Sequence, residues 1–199
     1  TLLIDSCLDT EEKLGYVERA LELTREKFQT ADQMSTQEKY ESVATYQLAT
    51  IAYYEAGKYE EAQKIGKEAL RIFPDHPSTL IDVNFTLGVI AYNDKNWEQV
   101  VEYTEASQKA YHRWKEEPAW RDLVMNLLNC ESEFMYQKIL VCLLTGYYHL
   151  ERFEDALHGF SELEIEDLTQ ESFKEMLLLL IILSTKMNIT DMLQHWYQT

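Results

Sequence analysis

The side chains most often used for chemistry are present but scattered. His76, His112, His149, His158 and His195 are far apart, with no HxxxH or HExxH among them. There is no GxxxxGK[ST] phosphate loop, no GxSxG nucleophile elbow and no GxGxxG. Cys7, Cys130 and Cys142 lack CxxC spacing and a nearby histidine set, so they fit reduced thiols better than a disulfide scaffold or a zinc module. Catalysis needs a positioned nucleophile, an acid–base pair or a metal. The sequence therefore predicts no enzyme, no metal and no cofactor. What remains is the chemistry of recognition. Tyr54, Tyr92 and Tyr148 each join apolar area to a hydroxyl, and the amides of Gln47 and Asn93 can bond both backbone groups of an extended peptide.

Helices must position these groups. Six glycines and three prolines in 199 residues are too few for the turns of a sandwich, a barrel or a doubly wound sheet, so the fold class is all-α. Asp9 or Thr10, followed by Glu11 and Glu12, starts a helix carrying Leu14, Val17, Leu21 and Phe28. A second runs from about Thr36 to Ala56 with Tyr40, Val43, Tyr46, Ala49 and Tyr53 at helical spacing. Gly57 stops it, and a third carries Ala62, Ile65, Ala69 and Ile72 up to Pro74. Pro118 suits a helix start, with a long helix following to about Leu150, interrupted at most at Asn129 to Ser132. Thr169 or Gln170 to Lys186 is nearly all apolar and is expected to be buried; Asp191 begins a last amphipathic stretch with Met192, Leu193, Trp196 and Tyr197. About nine or ten helices are expected, in a single domain covering 1–199. The opening at Thr1, without an initiator methionine, reads as a segment of a longer polypeptide.

The helices repeat. Residues 43–76 carry Tyr46, Ala49, Thr50, Tyr53, Ala62, Gly66 and Pro74, with Gly57 and Tyr59 at the turn. A second unit, 81–114, keeps Leu87-Gly88 and sets Trp97 where the first has Tyr59; a third, 137–170, aligns Leu140, Leu143, Tyr147, Phe153, Ala156 and Phe160. The turn aromatics Tyr59, Trp97 and Phe153 are separated by 38 and 56 residues. This pattern resembles the 34-residue tetratricopeptide (TPR) repeat with enlarged connections. The resemblance implies an α-solenoid of antiparallel helix hairpins wound into a right-handed superhelix, whose first helices line a groove.

Projected onto that pattern, the groove positions are Gln47, Ile51 and Tyr54; Phe85, Val89, Tyr92 and Asn93; and Lys138, Val141, Thr145 and Tyr148. The cochaperone type of TPR domain grips acidic peptide tails with a Lys/Asn/Arg clamp. Here those places hold Gln47, Ile51 and Val89, with only Lys138 basic, so that ligand class is not expected. The Tyr- and Asn-rich repeats, with Leu144-Thr145-Gly146-Tyr147-Tyr148 and Phe153-Glu154-Asp155-Ala156-Leu157, are similar to the TPR domains of Gram-positive Rgg/PlcR-type peptide-pheromone receptors. That similarity implies a short peptide ligand, a transcription regulator with a DNA-binding domain elsewhere in the protein, and a homodimer through the C-terminal helices, which the apolar Phe173 to Leu183 stretch suits. The competing expectation is a scaffold that holds a multiprotein assembly together.

The longest uninterrupted apolar run, Met176 to Leu183, is far short of the ~20 residues of a membrane span, and no signal-peptide pattern opens the chain. A cytoplasmic setting is expected. The net charge of −17 leaves little with which to displace counterions from a phosphate backbone. The fragment alone should show no salt-sensitive retention of duplex DNA in a mobility-shift titration; such retention would overturn this reading of the charge.

Overall fold

The computed structural model describes residues 10–30, 35–77, 79–118, 132–164 and 168–187. Among them are eight α-helices and no strand: α1 (Thr10–Thr30), α2 (Thr36–Glu55), α3 (Tyr59–Ile72), α4 (Asn84–Asn93), α5 (Trp97–Glu116), α6 (Ser132–His149), α7 (Phe153–Phe160) and α8 (Gln170–Lys186). A π-helical turn, Thr79–Val83, leads directly into α4. The expected helix before Ser132 and the last stretch from Asp191 fall in residues 119–131 and 188–199, outside the described residues. No helix among the described residues is long and apolar enough to cross a membrane.

Local chemistry sets the helix starts. Ser35 caps α2 reciprocally: its hydroxyl accepts from the Glu38 N–H, and the Glu38 carboxylate accepts from the Ser35 N–H at 2.9 Å. Asn96 caps α5 through the Gln99 N–H, and Thr169 caps α8 through the Ser172 N–H, each at 3.2 Å.

Three helix pairs, α2–α3, α4–α5 and α6–α7, are closed by one and the same three-residue turn. Its middle residue is left-handed each time: Gly57 at φ 72°, Lys95 at 56° and Glu151 at 58°. Its hydrogen bonds also repeat. The first N–H reaches four residues back (Ala56 to Ala52, Asp94 to Ile90, Leu150 to Gly146). The third reaches five back (Lys58 to Tyr53, Asn96 to Ala91, Arg152 to Tyr147). These bonds use carbonyls that a helix end leaves open, which offsets the left-handed strain at Lys95 and Glu151. The turns lie at the 38- and 56-residue separations read from Tyr59, Trp97 and Phe153.

Helices next to one another in sequence pack against each other throughout. One apolar cluster joins α1, α2, α3 and α4 around Tyr46, Ala49, Ala62, Ile65, Leu87 and Ile90; a second joins α5 to α8 around Ile139, Leu140, Leu143, Leu144, Phe160 and Leu180. Polar ties fasten their edges. Tyr46 Oη donates to Glu68 at 2.8 Å, Tyr53 Oη to Glu18 at 2.7 Å and Tyr147 Oη to Glu105 at 2.9 Å. Tyr136 Oη donates to Glu162. Arg25 adds two bonds to Glu68 and, helped by Tyr46, lowers that carboxyl's pKa against the opposing effect of burial.

α8 differs from expectation. Its nearly unbroken apolar sequence is buried on one side only, at Met176, Leu179, Leu180 and Leu183, while Leu178 and Ile181 stay 59% and 42% exposed. Among the described residues, neighbouring helices cover a single stripe of it, and Leu178 and Ile181 lie off that stripe.

Gly88 and Gly146 set how close α4 and α6 come to α5. A Cβ on Gly88 of α4 would stand 2.8 Å from Thr104 Cγ2 of α5, and one on Gly146 of α6 would stand 2.8 Å from Val101 Cγ2 of the same helix. Gly88→Leu should force α4 and α5 apart and destabilise by about 1–3 kcal/mol. A thermal unfolding midpoint unchanged from wild type would show that this contact is not tight.

Candidate functional site

α4 is enclosed on every side but one. Asn84, Thr86, Leu87, Gly88, Ile90 and Ala91 are buried. Phe85, Val89 and Tyr92 are half-buried and Asn93 is exposed. They fall on one stripe because they recur at helical spacing, and they are the four positions projected for this helix. α6 behaves alike. It buries Ile139, Leu140, Leu143, Leu144 and Tyr147 and opens along Lys138, Val141, Cys142, Thr145, Tyr148 and His149. α4 touches both α2 and α6. On α2, Ile51 and Tyr54 are half-buried.

Gln47 departs from the expectation. It is buried, 8% exposed, and its Nε2 donates to Asp82 Oδ2 at 2.7 Å. An amide committed to a buried acid cannot serve as the polar edge of a groove. Leu48, 53% exposed, stands on the open side of α2 instead. Thr145 is on the stripe, but its hydroxyl donates to the Val141 carbonyl at 2.8 Å one turn back, so it presents mainly a methyl group.

The recurring tyrosines lean on the turn aromatics of their own helix pair. Ring centroids are 5.7 Å apart for Tyr54–Tyr59, 5.5 Å for Tyr92–Trp97 and 6.2 Å for Tyr148–Phe153. Each tyrosine thus packs at the turn while part of its ring stays open. The second and third pairs are joined by His149, whose ring stacks on Trp97 at 3.9 Å with the planes 9° apart and meets Tyr148 edge-on at 5.2 Å. From α8, the Lys186 ammonium lies 5.5 Å from the centre of the Tyr148 ring and 4.8 Å from that of Phe153, within cation–π reach.

The electrostatics of the stripe suit contact better than catalysis. Burial, with a contribution from Glu175 of α8, pushes the Cys142 thiol up to about 12, so it stays protonated and is a poor nucleophile at neutral pH. Burial, then the Glu175 charge, also raises the Tyr92 hydroxyl. Burial, then Lys95, lowers the pKa of His149. Among the described residues no group of three or more His, Cys, Asp or Glu side chains could hold a metal ion. Two clefts flank α1, one of about 520 Å³ against α2 and one of about 210 Å³ against α3. Neither includes a residue of the α4–α6 stripe, which is an open surface.

Sequence reasoning missed Leu48 and Cys142 on the open side, the reach of Glu175 and the burial of Asp82. Register carried no signal for them, since Leu48, Thr86 and Cys142 are equivalent at the 38- and 56-residue separations and yet Thr86 is buried. No family model, no curated protein and no solved structure matches the chain.

The His149–Trp97 stack carries a pH prediction. Because desolvation and Lys95 both disfavour the imidazolium, His149 should titrate below the ordinary value of about 6.5. The unfolded chain then takes up this proton at a higher pH than the folded one. Its contribution to stability is therefore present above the unfolded pKa and fades as pH falls through it. A titration of the His149 ring by NMR should place its midpoint below 6.5, and Lys95→Ala should raise it. A midpoint at or above 6.5 would mean that the ring does not sit against Trp97 near Lys95.

Proposed function

We propose that the chain is a peptide- or protein-binding TPR-like domain, an α-solenoid of helix hairpins in a right-handed superhelix. In this reading it is the ligand-sensing domain of a bacterial peptide-responsive transcription regulator, working in the cytoplasm without enzymatic activity. The observation that carries it is the single open stripe of α4, Phe85–Val89–Tyr92–Asn93, on a helix that packs against α6, itself open along one stripe. A helix closed elsewhere by its own protein and open along one apolar line with a polar end is suited to receive an extended segment. The thrice-repeated turn supports the solenoid part of the reading.

The ligand class follows from the side chains. Ile51, Phe85, Val89 and Val141 offer an apolar floor, and Tyr54, Tyr92 and Tyr148 supply ring faces. Asn93 and Lys138 at the edges are suited to backbone polar groups. With Gln47 engaged by Asp82, α2 contributes contact area from Ile51 and Leu48 rather than a hydrogen-bonding edge. The charge of −17 favours neutral or basic segments over acidic ones, chiefly by speeding association.

A second reading, a scaffold holding together a multiprotein assembly, is favoured by the exposed Leu178 and Ile181 of α8, which suit equally the homodimer of the first reading.

Titration calorimetry with a library of short hydrophobic peptides separates the two. Asn93→Ala should weaken a binder by about 1–3 kcal/mol through a buried, unpaired peptide group. Tyr92→Ala should cost a similar amount through lost contact area, and Lys64→Ala on α3 should change nothing. Binders insensitive to Tyr54, Phe85, Tyr92, Asn93 and Tyr148 would remove the groove reading and favour the scaffold.

A further inference from the structure

Asp82 sits in the π-helical turn that leads into α4, only 2% exposed. One oxygen, Oδ2, accepts from Gln47 Nε2 at 2.7 Å; the other, Oδ1, is buried without a hydrogen-bond partner. The turn packs against α2, α3, α4 and α5, and their polar groups near Asp82 are neutral. From α2 comes Gln47. From α5, Ser107 Oγ donates to the Ile81 carbonyl at 2.7 Å, and from α4, Thr86 Oγ1 donates to Asp82's own carbonyl at 2.9 Å. Burial is the only influence that moves the Asp82 carboxyl, which rises to about 8; no charged side chain of α2, α3, α4 or α5 among the described residues acts on it. A carboxylate in this place would have one neutral donor, one bare oxygen and no cation, an arrangement far less favourable than the neutral acid.

The location gives that proton a structural consequence. Gln47–Asp82 is a buried polar bond between the first helix pair and the second, and it lies beside residues that open to the surface, Ile51 on α2 and Phe85 on α4. The backbone at Asp82 is already irregular. A π turn spreads its hydrogen bonds over five residues instead of four, and side chains such as Ser107 and Thr86 complete the accounting for its carbonyls. A segment of this kind has a second arrangement within reach when its one buried acid ionises. We propose that Asp82 and Gln47 form a proton-dependent latch between α2 and the π turn, closed while Asp82 is a neutral acid and loosened when it ionises, so that pH controls how firmly the first two helix pairs are held together.

The direction of the effect follows from linkage. An unfolded Asp gives up its proton near 3.9, whereas the folded one keeps it to about 8. The stability that Asp82 provides is fully present below the unfolded value, declines as pH rises, and is gone above the folded value. Asp82→Asn keeps the shape and the Gln47 partner but removes the proton, so it is the reference against which other carboxylates cancel.

The test uses the whole chain, wild type and Asp82→Asn, in denaturant titrations from pH 5 to 9.5, with amide hydrogen exchange of the 79–93 segment alongside. Wild type should lose about tenfold in folding equilibrium constant per pH unit relative to Asp82→Asn between pH 5 and 7, levelling off near pH 8. Exchange at 79–93, corrected for intrinsic rate, should quicken in wild type as pH rises towards 8, level off above it, and stay level throughout in the variant. If Asp82→Asn does not fold, infrared spectra of wild type bearing ¹³C-labelled aspartate decide the matter. A protonated-carboxyl band at pH 7 that disappears by pH 9.5 supports the latch, and its absence at pH 7 overturns it. Parallel stability profiles, or equal exchange at 79–93 at high pH, overturn it equally.

Discussion

α5 carries α4 on one side and α6 on the other, and both approaches are set by a glycine. Gly88 and Gly146 leave no side chain where Thr104 and Val101 of α5 come in. At such separations one methyl group is enough to push a helix away, because packed interiors have no slack to absorb it. How close α4 and α6 each come to α5 depends on these two contacts.

Around that middle layer the ties change in character along the chain. On the α1–α3 side they are tyrosine hydroxyls on carboxylates, Tyr46 on Glu68 and Tyr53 on Glu18, reinforced by Arg25. Between the second and third helix pairs a ring stack, His149 on Trp97, stands beside a further hydroxyl–carboxylate tie, Tyr147 on Glu105. Between the first and second pairs the tie is a buried amide on a buried acid, Gln47 on Asp82. Glu68 is held ionised by Arg25 and Tyr46 and stays solvated in part. Two ties follow a proton: the one at Asp82, in the latch proposed above, and the His149–Trp97 stack.

The proposed recognition surface draws on the same parts. Its tyrosines are anchored at one end by the turn aromatics, so a ligand would meet rings already held in place, with less side-chain freedom to lose on binding. Its polar groups are few, because the hydroxyl of Thr145 and the amide of Gln47 are spent inside the protein. In the reading proposed above, a surface of this composition would select by shape and apolar contact, with Asn93 at its polar end.

The helices, their starts and the three turns were legible in the sequence because they are local. Apolar spacing marks a helical face, Thr169 marks a helix start beside it, and the turn aromatics sit at a constant offset from the left-handed residue, so none of these needs knowledge of the rest of the chain. The positions on α4 and α6 came instead from the repeat pattern projected onto the chain, because the open side of α4, Phe85, Val89 and Tyr92, is as apolar as its buried side. Gln47, Asp82 and α8 were not legible. An amide on α2 looks the same in sequence whether it faces solvent or a buried acid 35 residues away, and an Asp before a helix usually reads as a solvated first turn. Which apolar residues of α8 would be covered depended on where α6 and α7 came to lie. Those outcomes belong to the tertiary structure, because burial and hydrogen-bond partnership arise only when distant segments meet, and spacing along one helix carries no record of what arrives from another.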